Sequence, residues 1–175
     1  MKLLKTFYRK DGLDISGKTS HRTAVRALIF NENHDKLLMI YSPVNGDYKF
    51  PGGGVEEGED KTSALAREIM EEFVVKLISI ENEFGMVIEY DVPEKKEFDV
   101  FKMDSQYYFC KVGNEFSSQQ LDEYEKNLRF VPVWIGIKEA LENNITLLNS
   151  GNPVPKWAKR DTFILEEINS LKKTQ

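Results

Sequence analysis

The segment from Gly52 to Val75 constrains this chain more than any other. It reads Gly-Gly-Gly-Val-Glu-Glu-Gly-Glu-Asp-Lys-Thr-Ser-Ala-Leu-Ala-Arg-Glu-Ile-Met-Glu-Glu-Phe-Val-Val. Thr62–Phe73 contains no Gly or Pro, and Asp60 or Thr62 can cap it, which predicts a helix. At about 100° per residue, Leu65, Ile69 and Phe73 share a broad face with Ala66 and Met70, and that face should bury. Glu68, Glu71 and Glu72 fall in an adjacent arc of about 100° around the small Ala64. Like charges at these spacings cost a few tenths of a kcal/mol per pair. Glu71 and Glu72 also sit in the last turn, where the helix dipole disfavours negative charge. The cluster is therefore misplaced for stability, and a hard divalent cation reverses that sign. Carboxylate oxygens without a neighbouring His or Cys favour Mg²⁺ or Mn²⁺ over zinc. The competing reading is a solvated acidic face.

The preceding Lys49-Phe50-Pro51-Gly52-Gly53-Gly54 brings bare backbone toward this helix, and a carbonyl there can complete an oxygen shell. Glu59 and Arg67 are the natural ion pair to tie loop to helix. The rest of the chain supplies a setting. Arg22–Phe30 and Lys36–Tyr41 read as strands forming a hairpin across a polar turn, and Ser42–Asp60 reads as a loop. Phe84–Tyr90, Gln106–Val112 and Val131–Ile137 are further apolar stretches. Lys138–Asn143 and Trp157–Leu171 read as helices, the stripe of the latter serving core packing. Mixed strands and helices predict an α/β or α+β layer fold.

The spacing Gly53, five residues, Glu59, seven residues, Arg67-Glu68-Ile69-Met70-Glu71-Glu72-Phe73-x-Val75 resembles the Nudix box, G-x5-E-x7-R-E-U-x-E-E-x-G-U with U apolar. Six of the seven fixed residues match in register, and Val74 stands where the family has Gly. The resemblance implies a Nudix-type α/β/α sandwich with a mixed β-sheet, as one domain over 1–175, with its core at about 21–165 and the box at 53–75. It implies hydrolysis of a pyrophosphate bond in a nucleoside diphosphate derivative: a nucleoside triphosphate, nucleotide sugar, ADP-ribose or dinucleoside polyphosphate. Glu68, Glu71 and Glu72 would bind Mg²⁺ (or Mn²⁺), with the Gly52 carbonyl as a further ligand and Glu68 the first choice of base. Gly53, Glu59 and Arg67 would be structural. Some members draw another Glu from a later loop; Glu125 is preferred here over Glu123. Arg22 and Arg26 are candidates for phosphate, and Tyr48, Tyr41 or Trp157 for stacking on a base. The other class of reading is a Nudix-like sensor that binds a nucleotide without cleaving it.

Gly12–Thr19 also fits G-x4-G-K-[ST], the P-loop pattern. A P-loop needs a buried strand before and a helix after. Here a short charged run precedes the motif, a strand-like segment follows, and Asp14 would enter the phosphate cradle, so the match is read as coincidence. Charge narrows the partners: 24 Lys and Arg against 29 Asp and Glu give −5, which argues against a broad nucleic-acid-binding face. A small nucleotide is the expected partner, with no nucleic acid and no membrane, and the chain is expected to be a monomer or homodimer. With one cysteine, Cys110, and no long apolar run, the expected location is the cytoplasm.

Overall fold

The computed structural model describes residues 1–73, 75–113 and 123–173, so Val74 lies outside the described residues. The elements run β1 (Leu3–Tyr8), β2 (Thr19–Ile29), β3 (Lys36–Ser42), β4 (Asp47–Lys49), α1 (Lys61–Phe73), β5 (Leu77–Asp91), β6 (Val100–Val112), α2 (Glu123–Asn127), β7 (Val131–Gly136), α3 (Ile137–Leu148) and α4 (Ala158–Lys173). They build a mixed α/β fold on two sheets, ordered β1-β5-β6-β2 and β4-β3-β7. The first sheet is mixed: β1 is parallel to β5, β5 antiparallel to β6, and β6 parallel to β2. No described helix is long and apolar enough to cross a membrane.

Side-chain alternation along β2 sorts its residues to opposite faces of the mixed sheet. Val25, Ala27 and Ile29 meet Leu65, Ile69 and Phe73 of α1 in one core cluster. Leu28 joins Tyr107, Val87 and the apolar side of α3 and α4 in the other. Leu65, Ile69 and Phe73 are almost wholly buried, worth roughly 1.5–3 kcal/mol each. The face expected to bury on α1 does so at Leu65, Ile69 and Phe73, while Ala66 is half-buried and Met70 is exposed. Asp60 caps the helix: its Oδ1 accepts from Thr62 N at 2.9 Å and Ser63 N at 3.1 Å.

Several expectations change. β2 and β3 do not form a hairpin; they belong to different sheets and touch through the isolated bridge Phe30↔Leu37. β1, β4 and α2 were not anticipated. β4 is three residues long, and β1 is an edge strand made through its partner β5, so neither carries a periodic signal of its own. The P-loop pattern is disposed of by context. Lys18 N donates to Asp99 Oδ2 at 2.7 Å, and β2 begins at Thr19 where a P-loop would begin a helix.

Candidate functional site

The glycine loop is built as an extra strand-like run along β2. Ala27 N donates to the Pro51 carbonyl, Val25 N to the Gly53 carbonyl, and Val55 N to the Thr23 carbonyl. This close approach requires glycine. Gly52 has φ +124°, and a Cβ there would lie 2.1 Å from the Val25 carbonyl oxygen. A Cβ on Gly53 would meet the Glu68 carboxylate at 2.2 Å. Loop and acidic helix are thus pressed together as the sequence implied.

The segment just before the loop is held from behind. Asn144 of α3, fully buried, accepts from Tyr48 N at 2.9 Å and donates to the Tyr48 carbonyl at 2.8 Å. Asp161 of α4 accepts from Phe50 N at 3.1 Å. Alternation along β4 then sends Lys49 the other way, toward α1. Its Nζ donates to Glu72 Oε1 at 2.7 Å, and Gly52 N donates to Glu72 Oε2 at 2.7 Å. Phe130 walls the ammonium, with its ring centre 4.5 Å away. Asp161 also accepts from Tyr107 OH at 2.9 Å and Arg160 Nε at 2.8 Å. Arg160 Nη1 continues to Glu89 Oε2 at 3.0 Å, and Arg9 closes the chain onto Glu89 Oε1. Lys49, Asn144, Arg160 and Asp161 escaped sequence reasoning. For Asn144, Arg160 and Asp161 the available signal was polar residues inside otherwise apolar helical stripes; Lys49, on β4, had none.

Arg67 is the hub of the exposed half. Its Nε and Nη2 donate to Glu59 Oε1 and Oε2 at 3.0 and 2.9 Å, and Nη2 also reaches the Gly54 carbonyl at 3.0 Å. Its Nη1 donates to Glu68 Oε1 at 2.9 Å and Glu71 Oε2 at 3.3 Å. The expected Glu59–Arg67 pair therefore forms. Burial lifts the Glu72 carboxyl to about 7; Lys49 opposes this, and Glu125 and Glu68 add to it. Glu71 is raised by burial, against Arg67, with Glu68 and Glu125 contributing. Glu68 and Glu125 thus both act on Glu71 and Glu72, although Glu125 is more than 50 positions further along the chain.

The remaining candidates divide. Arg22 packs its guanidinium over Gly54, where a Cβ would meet Nη2 at 2.5 Å. Arg26 donates to the Gly52 carbonyl, and its Nε is buried without a partner among the described residues. That places a cation on the carbonyl expected to ligate a metal. Tyr48 packs against Tyr41 with tilted rings, centres 4.9 Å apart and planes at 37°, on the face of β4 opposite Lys49. Strand alternation thus places it on the other side of β4 from the Lys49–Glu72 pair. Trp157 instead comes near: its Nε1 donates to Asp47 Oδ2 at 2.5 Å, and its ring lies 6.0 Å from Lys49 Nζ.

The donor set fits a hard divalent cation in its chemistry: carboxylate oxygens, with Glu68 and Glu125 adding to the raised pKa of Glu71 and Glu72, and no His or Cys among them. As placed, Lys49 and Arg67 supply the compensating charge, and among the described residues no three acids, His or Cys already surround one point.

A family model for the NUDIX domain matches residues 20–152. A protein of a Nitratiruptor species named RNA pyrophosphohydrolase is 31% identical over 125 residues, covering 66% of this chain and 80% of its own length. One of the same name from Helicobacter pylori is 30% identical over 151 residues, covering 82% and 97%. The solution structure of the E. coli ORF135 protein matches with a TM-score of 0.57 at 18% identity, covering 90% of this chain and 94% of that one, a likeness of fold.

Proposed function

The chain belongs to the Nudix family and is a pyrophosphohydrolase, and from that premise we propose that it cleaves, with Mg²⁺ or Mn²⁺, a pyrophosphate bond in a nucleoside diphosphate derivative. The phosphorylated 5′ end of an RNA is the substrate favoured here, by the names of its relatives. The observation that carries the reading is the acidic helix α1 pressed against the Gly52–Gly54 loop, with Glu68 against Gly53 and Glu72 accepting from Gly52 N. The low total charge argued against nucleic acid, but a terminal phosphate group is recognised locally and does not need a basic face.

In this proposal Glu68, Glu71, Glu72 and Glu125 hold the cation. When bound, it supplies positive charge against the diphosphate and acidifies the attacking water. Glu72 is oriented by Lys49 and by Gly52 N, so its carboxylate is fixed before substrate arrives. Glu68 takes the proton as the water oxygen bonds to phosphorus and the bridging P–O bond breaks. Arg22, lying over Gly54, steadies phosphate oxygens, for which a guanidinium suits the geometry. The Gly52 carbonyl, already taken by Arg26, is left out of the ligand set.

The test is product formation from 5′-triphosphorylated RNA, nucleoside triphosphates, nucleotide sugars and dinucleoside polyphosphates with Mg²⁺ or Mn²⁺. Wild type should turn over at least one of them. Glu68→Gln and Glu72→Gln should lose on the order of 10²-fold or more in kcat. Binding of a substrate without product over long incubation would support the sensor instead. Full activity in both variants would remove the carboxylates from the mechanism.

A further inference from the structure

The mixed sheet carries a second surface that the hydrolytic site does not use. Its register aligns four residues in one row: His21 beside Lys102, Lys102 beside Tyr90, and Tyr90 beside Tyr8. All four point to the same side, because neighbouring residues in register share a face. That side is the one α1 covers further along β2, over Val25 and Ala27. Beyond the helix the row is half-buried to exposed among the described residues. Tyr8 is 56% exposed, and its ring is stacked on Tyr90 with centres 5.5 Å apart and planes at 12°. At the other end, His21 Nε2 and Lys102 Nζ both reach Asp104, at 2.8 and 3.1 Å.

The row borders the hydrolytic site. Val25, whose N–H donates to the Gly53 carbonyl, follows His21 by two side chains on the same face of β2. Four residues of strand place His21 about 13 Å from that point, and three strand spacings make the row roughly 14 Å long. The charge of the chain is also lopsided. Residues 1–26 hold seven Lys or Arg against two Asp, within a molecule of net charge −5. Five of those seven, Lys2, Lys5, Lys10, Lys18 and Arg22, are exposed, with Lys5 on the opposite face over Phe163 and Lys18 over Phe98.

We infer that this row is a platform for single-stranded RNA, on which the nucleotides following the cleaved 5′ end stack against Tyr8 and Tyr90 while Lys102 and His21 meet the backbone. A cross-strand tyrosine pair by itself is ordinary sheet packing. Its position here, exposed on a four-stranded sheet with Lys102 and His21 in the same row and the hydrolytic site further along the same face, matches the chemistry that holds unpaired bases and phosphodiesters. The inference rests on the RNA-end reading above, and its test separates the two.

Binding of a fluorescent eight-nucleotide RNA with a 5′-hydroxyl reads the platform alone, since that RNA has no pyrophosphate to cleave. Tyr8→Ala and Tyr90→Ala should each weaken it about tenfold, with Tyr8→Phe and Tyr90→Phe close to wild type. Lys102→Gln should flatten its salt dependence by somewhat under one unit of log–log slope. In turnover, the ratio of kcat/KM for a 5′-triphosphorylated eight-mer over a free nucleoside triphosphate should be tenfold or more in wild type and fall toward one in the alanine variants. Melting curves at native-like temperatures would certify that those variants are folded. Equal RNA binding by wild type and folded alanine variants would overturn the platform even if the triphosphate is cleaved. RNA binding that needs the tyrosines without any turnover would keep the platform and sink the RNA-end hydrolysis.

Discussion

Lys49 Nζ sits 2.7 Å from Glu72 Oε1, and both side chains are nearly closed off from solvent. The ammonium keeps a carboxylate in place that burial alone would neutralise. Two backbone ties from behind, through Asn144 and Asp161, decide that Lys49 faces this way.

Lys49→Met should therefore destabilise the fold toward the lower end of the roughly 3–5 kcal/mol typical of breaking a buried pair. The loss is softened because Glu72, whose carboxyl already lies at about 7, can take up a proton. Urea denaturation should show a larger deficit at pH 8.5 than at pH 6. A deficit independent of pH would mean that Glu72 does not depend on Lys49 for its charge.

Two adjacent glycines should fail differently. Gly52→Ala forces a side chain into φ +124° and onto the Val25 carbonyl, costing on the order of 3 kcal/mol of stability. Gly53→Ala meets only the end of the Glu68 side chain, which can swing away. It should melt close to wild type yet lose on the order of 10²-fold in kcat by misplacing the base. Thermal melts and steady-state rates on the same preparations check both. Equal behaviour would show that the loop moves as a whole.

Asp47 is buried, with Oδ1 lacking a hydrogen-bond partner among the described residues, and its carboxyl is raised to about 6 mainly by burial. Its native pKa exceeds its unfolded value near 3.8, so the folded state binds more protons between those two values. Its contribution to stability is thus highest below about pH 4, falls as pH rises to about 6, and stays low above that. The full penalty is at most roughly 3 kcal/mol. Asp47→Asn keeps an acceptor for Trp157 Nε1, so it should raise the Tm at pH 7 by several degrees and leave it little changed at pH 4. A lower Tm at pH 7 would refute this.

Arg160 is 2% exposed and joins Glu89 to Asp161. Arg160→Met leaves two buried acids short of a cation and should cost on the order of 3–5 kcal/mol. The Glu89→Gln, Arg160→Met double variant should recover part of that loss in a double-mutant cycle. Additive losses would deny the coupling.

Much of the site was legible locally. The α1 helix, its apolar face, the acidic arc, the glycine loop and the Glu59–Arg67 pair all lie within one short segment, where helical period and glycine's freedom of approach leave few alternatives. The strands were legible where apolar residues cluster, and their boundaries ran short because β2, β5 and β6 extend into polar residues that only sheet pairing recruits.

What sequence alone determined was the chemistry available, a set of hard oxygen donors on one helix beside bare backbone. What tertiary structure decided was which groups share that space. Lys49 against Glu72, Arg26 on the Gly52 carbonyl, the Glu125 charge acting on Glu71, and Tyr48 turned to the far side of β4 each depend on strand alternation and on packing between distant segments. Those relations are set by the closing of the whole chain around two cores, because a side chain's direction is local but its neighbour is not.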